Sequence, residues 1–143
     1  MKLLPVRQYE FIVDFSESET IIRISKLCKF YVDGNIFYSS QSLLGFNFAF
    51  IEGIIKSNNS QTTVSIKISM QSVLIAFLII ILGFCLLFFI VSIVQSFLKN
   101  QIIWDGIFGS IGFSIFAYIF YYSMYVSDAS SKLEILKKAL RIS

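Results

Sequence analysis

From Ile68 to Leu98 the chain runs 31 residues without a charged side chain, and after Lys99 and Asp105 it does so again from Gly106 to Ser127. An uncharged apolar stretch of about 18 residues or more is long enough to cross a bilayer as a helix. Between Val73 and Val94, 18 of 22 residues are Val, Ile, Leu or Phe. At roughly −0.3 to −0.6 kcal/mol each, that composition favours insertion by roughly 5 to 11 kcal/mol. Twenty-two helical residues cover roughly 33 Å, enough for the hydrocarbon core. The second run is diluted by Gly106, Gly109, Ser110, Gly112, Ser114 and Ser123. Its ends are aromatic: Trp104 at the start, then Tyr118, Tyr121, Tyr122 and Tyr125, which read as an interfacial belt. Leu98 to Gln101 or so is all that separates the runs, so the expected arrangement is an antiparallel hairpin of residues 71–98 and 102–126.

Cations set the expected orientation. Lys56 and Lys67 precede the hairpin and Lys132, Lys137, Lys138 and Arg141 follow it, whereas the turn carries Lys99 alone. The positive-inside rule then places both termini in the cytoplasm. Met1 to Phe15 holds Pro5, Arg7 and Glu10 where a signal peptide needs an apolar core, so the first membrane helix itself is expected to direct insertion. With 56% hydrophobic residues, the chain is too apolar for an ordinary soluble domain.

Residues 1–70 read as one small β-rich module. Tyr9–Phe15 suits a strand. Ser16 and Glu19 form a capping box before Ile21, Ile24, Leu27 and Cys28 at helical spacing, so 17–28 reads as a helix, with a second strand as the alternative. Asp33-Gly34-Asn35 marks a tight turn between Phe30–Val32 and Ile36–Ser39. Phe46–Ile55 reads as a strand, Asn58-Asn59-Ser60 as a turn, and Thr62–Met70 alternates Val64, Ile66, Ile68 with Ser65, Lys67, Ser69 before entering the hairpin. The expected fold class is therefore α+β: a β-α-β-β-β-like module, a two-helix hairpin, and a short amphipathic tail helix at 128–143. In that tail Leu133, Leu136 and Leu140 line one face while Lys132, Lys137, Lys138 and Arg141 lie largely around the others. The tail either lies on the anionic inner leaflet or docks on the β module.

Chemistry-bearing patterns are sparse. The chain has no His, and Cys28 and Cys85 lie in different regions, consistent with a reducing compartment. Asp14, Glu17, Glu19, Asp33 and Glu52 fall on expected caps and turns, so no catalytic, cofactor or metal-binding constellation is expected. Basic residues do not cluster with aromatics in 1–70, which argues against nucleic acid as a partner. Gly106, Gly109, Ser110, Ser114 and Ala117 make a small-residue face on the second helix. That face packs against the first helix through Cys85, Ser92 and Ser96, or joins a second copy of the chain, or lines a polar path. Asp105 is read as solvated or paired with Lys99.

On Asn35, Phe50-Ile51-Glu52-Gly53-Ile54, Thr62 to Ile68 and Gly83, the run from Asn35 to Gly83 resembles a group of small uncharacterised bacterial membrane proteins. That group joins a short β-rich N-terminal part to a membrane hairpin. Its aromatic-Arg-Asn-Ser segment with a proline is replaced here by Tyr38-Ser39-Ser40-Gln41-Ser42. The resemblance implies architecture and no mechanism. Three functional expectations follow: a non-enzymatic, membrane-held β module serving as sensor, adaptor or partner-binding element; an oligomeric membrane-disrupting effector of a bacterial defence or toxin system; and, third, a lipid enzyme using Asp105 or Glu52.

Overall fold

A computed structural model describes residues 6–39, 47–58 and 61–142. The chain is an α+β protein with a five-stranded antiparallel sheet followed by two long apolar helices. It divides into two units, Met1–Gln71 with Tyr125–Ser143, and Ser72–Met124.

In the first unit, β1 (Val6–Val13) is followed by α1 (Glu17–Ser25), β2 (Phe30–Asp33), β3 (Ile36–Ser39), β4 (Ala49–Asn58) and β5 (Gln61–Met70). The sheet order is β1-β5-β4-β3-β2, a meander from β2 to β5 with β1 added beside β5. Four strands follow α1, one more than the β-α-β-β-β pattern expected, because both arms of the Gly34 turn pair as strands in their own right. Gly34 adopts φ +60°, which a residue without a Cβ tolerates at no steric cost. The alternative strand at 17–28 is ruled out: Ser16 Oγ accepts the Glu19 amide at 3.3 Å and starts the helix, while the Glu19 carboxylate pairs with Arg23 at 2.8 Å. Strand β4 runs Ala49–Asn58, so Asn58 of the anticipated turn belongs to the strand, while Phe46, Asn59 and Ser60 lie outside the described residues, as do Ser40, Gln41 and Ser42.

The alternation of β5 places Val64, Ile66 and Ile68 in the core beside Ile51 and Ile55 of β4. Gly53 faces Phe37 so closely that a Cβ there would overlap the buried ring. Glycine is the residue that lets this aromatic cross the neighbouring strand. Helix α1 adds Thr20 and Ile24 to the core.

In the second unit α2 (Ser72–Leu98) ends in a Schellman turn, with Asn100 at φ 49° and its amide on the Phe97 carbonyl, and the Gln101 amide on the Ser96 carbonyl. The Ser96 hydroxyl donates to the Ser92 carbonyl and accepts the Ile103 amide at 2.9 Å, bracing the turn into the next helix. Helix α3 then runs from Trp104 to Leu140 as one 37-residue element. This corrects the separate tail helix expected at 128–143. Ser127 to Ser131 contains neither glycine nor proline, so nothing in it obliges the helix to stop. Its last turn is again a Schellman motif, with Arg141 at φ 52°. The most apolar 18-residue stretches of α2 and α3 have mean hydropathies of 3.4 and 1.4, and both helices are long enough to cross a membrane.

Candidate functional site: a polar clasp on the open end of β4

Strand β3 ends at Ser39, but β4 extends beyond the residues that β3 pairs with. The β4 backbone on that side needs partners, since a buried amide or carbonyl left unpaired is costly. The Ser39 hydroxyl takes the first, accepting the Ile51 amide at 3.0 Å. Two residues earlier, the partners come from the last part of α3. Asp128 Oδ2 accepts the Phe48 and Ala49 amides, both at 2.9 Å, and the Lys132 ammonium at 2.8 Å. Lys132 Nζ also donates to the Ala49 carbonyl at 2.6 Å. The acid and the base, one helical turn apart, thus give Ala49 the acceptor and donor that a neighbouring strand residue would give. The Phe48 carbonyl meanwhile accepts from the amide of Gln71, the residue between β5 and α2.

The clasp is set in an apolar stripe. Tyr125, Ala129, Lys132, Leu136 and Leu140 follow one another at helical spacing and all are buried, Tyr125 at 0% exposure and Lys132 at 2%. The Tyr125 hydroxyl donates to the Ile68 carbonyl at 3.5 Å. Lys137 lies over the Phe11 ring at 5.5 Å, and Arg23, itself over Phe15, donates to the Ala139 carbonyl at 3.4 Å. The tail therefore docks on the β module, which decides between the two placements left open by the sequence. Two readings are corrected. Lys132 is the buried member of the tail's basic set rather than part of its solvated face, and Tyr125 belongs to the sheet's core rather than to the aromatic belt. Glu134 is exposed and pairs with Lys138 at 2.7 Å; that hydrogen bond and the neighbouring positive charge hold its carboxyl below the usual range.

The small-residue face is only partly used inside the second unit. Gly106 meets Ser92 so tightly that an added Cβ would overlap its hydroxyl, and Ala117 is buried. Ser110 and Ser114 turn their hydroxyls onto their own helix, to the Gly106 and Ser110 carbonyls. A Cβ on Gly109 would find no described atom within 4 Å. Trp104 stacks on Phe108 and Tyr118 on Tyr122, with Trp104, Tyr118 and Tyr122 exposed and Tyr121 half-buried. Asp105 is exposed and takes part in none of the ion pairs found among the described residues, which agrees with the solvated alternative and not with the Lys99 pair. Glu52 sits mid-strand opposite Lys67 rather than on a turn. Among the described residues no group of three His, Cys, Asp or Glu could hold a metal ion.

Sequence reasoning passed over Asp128 and paired Lys132 with the wrong surroundings. The available signal was an acid and a base at i and i+4 lying on the same stripe as Tyr125, Ala129, Leu136 and Leu140. No protein-family model, curated protein or solved structure matches the chain.

Proposed function

We propose that this is a two-pass protein of a bacterial inner membrane whose β module is a non-enzymatic sensor, adaptor or partner-binding element with both ends in the cytoplasm. The observation that carries the reading is the clasp. One residue separates β5 from α2, and α3 continues without a break into the residues that hold β4. Both chain connections between the two units are therefore short and regular, and a shift at the start of β4 acts directly on Asp128 and Lys132. Membrane residence is supported by the apolar side chains that α2 and α3 leave uncovered, among them Phe84, Leu86, Leu87, Phe88, Phe97 and Phe116. Such a surface is unfavourable in water and ordinary in lipid.

The native cysteines supply the test, since Cys28 is exposed on the β module and Cys85 is buried in α2. In intact spheroplasts a membrane-impermeant maleimide should leave Cys28 unlabelled, and in inverted vesicles it should label Cys28 fully. Labelling from the outside of spheroplasts would overturn the orientation, and recovery of the protein in the soluble fraction would overturn the membrane assignment.

The second reading, an oligomeric membrane-disrupting effector, draws on the open side of Gly109, where a neighbouring helix would fit. It predicts that overexpression depolarises cells and that Gly109→Leu abolishes the effect. Normal growth without leakage would remove it.

A further inference from the structure

Two grooves run along the pair α2 and α3 within the second unit. The larger, about 500 Å³, is walled by Ile81, Phe84, Phe88 and Phe113, with Cys85, Gly106, Gly109 and Ser110 along it. Ser92 and Asp105 line the end of it nearest the turn that joins the helices. Gly106 closes on Ser92, while Gly109 leaves space where any other residue would project a side chain. From Asp105 to Phe113 the groove follows about 12 Å of helix, at about 1.5 Å per residue. An apolar groove with one acid at its turn end is complementary to an amphiphile with a hydrocarbon tail and a cationic head.

Asp105 has a local role as well, since an acid in the first turn of α3 is favoured by the helix dipole. That accounts for an acid near the N-terminus of α3 and leaves its place on the lining of an apolar groove unexplained. Asp105 and Lys99 are the only charged residues between Ser72 and Met124. A second copy entering the same groove by a two-fold contact would bring its own Asp105 to the same depth, because copies in one membrane share an orientation, and like charges would meet. An ammonium head meets that carboxylate favourably.

We infer that the groove is a lipid site, holding one acyl chain of a membrane lipid whose headgroup carries a protonated amine, with Asp105 as the headgroup's partner. The inference rests on the membrane reading. The protein is reconstituted into nanodiscs of equal phosphatidylethanolamine and phosphatidylglycerol, and co-purifying lipid is counted by native mass spectrometry after partial delipidation. The wild type should retain the amine lipid with about a two- to fivefold preference, the range an exposed ion pair supplies. Asp105→Asn should abolish the preference while keeping the amount of lipid, and Gly109→Leu, which fills the slot, should lower retention of both lipids. Equal retention of the two headgroups by the wild type, or an unchanged preference in Asp105→Asn, overturns the lipid site alone. A dimer mass in place of bound lipid overturns it in favour of a second copy. Failure of the protein to co-float with the nanodiscs overturns the membrane reading and the lipid site together.

Discussion

Helix α3 meets two kinds of neighbour along its length, and the polar residues of each stretch behave differently. From Trp104 to Met124 most side chains are exposed and apolar, and the hydroxyls of Ser110 and Ser114 bond to their own helix. From Tyr125 to Leu140 one stripe is buried, and its acid and base bond across to the sheet. A helix that satisfies its polar groups internally makes no demand on what surrounds it. A helix that places a half-buried carboxylate and a buried ammonium on another element is committed to that element. The contrast marks where α3 stops being an apolar partner of α2 and becomes part of a folded domain.

The strongest way to break the comparison is to unmake the commitment. Asp128→Ala leaves the Lys132 ammonium buried with one carbonyl and frees two amides, and should destabilise the β module by about 3–5 kcal/mol in chemical denaturation. Lys132→Met keeps the stem packed but strips Asp128 of its counter-charge. The double variant Asp128→Ala, Lys132→Met should cost clearly less than the two single changes added, since removing both partners leaves no uncompensated buried charge. Strict additivity would show that the two side chains do not act as a unit.

Next in size is Gly53→Ala, which forces the Phe37 ring out of place and should cost about 1–3 kcal/mol, measured the same way. In the hairpin stretch the corresponding contrast is between neighbours on one helix. Gly106→Ala should disturb the hairpin by meeting Ser92, whereas Gly109→Ala should leave its thermal stability in detergent unchanged. Equal effects would mean that α3 does not approach α2 at Gly106. The smallest effect belongs to Glu134. Its carboxyl is held below the ordinary value of 4.5, so the pair with Lys138 supports the fold at neutral pH and ceases to do so as pH falls below 4.5 through the lowered value. Glu134→Gln should leave stability at pH 7 within error of wild type and slightly flatten its acid-side decline.

What the sequence made legible were patterns of one period at a time. The uncharged runs, the alternation of Val64, Ile66 and Ile68, the Ser16 cap and the Gly34 turn are local, and each appears in the structure. The clasp was hidden because its chemistry is not local. Asp128 and Lys132 are about 80 residues from the backbone groups they serve, and an i,i+4 acid–base pair on a helix ordinarily belongs to a solvated face. The break expected near residue 127 came with a change of composition, and composition does not stop a helix that has no glycine or proline in its way.

Hydrogen exchange on the membrane-reconstituted protein tests the central claim most directly, by following the Phe48 and Ala49 amides and those of residues 128–140. In the wild type these amides should exchange slowly. In Asp128→Ala the Phe48 and Ala49 amides and the end of α3 should lose protection together, and by more than β5 does. Unchanged protection of the α3 end in that variant would contradict the account, because the last part of the helix would then be held to the sheet by something other than the clasp.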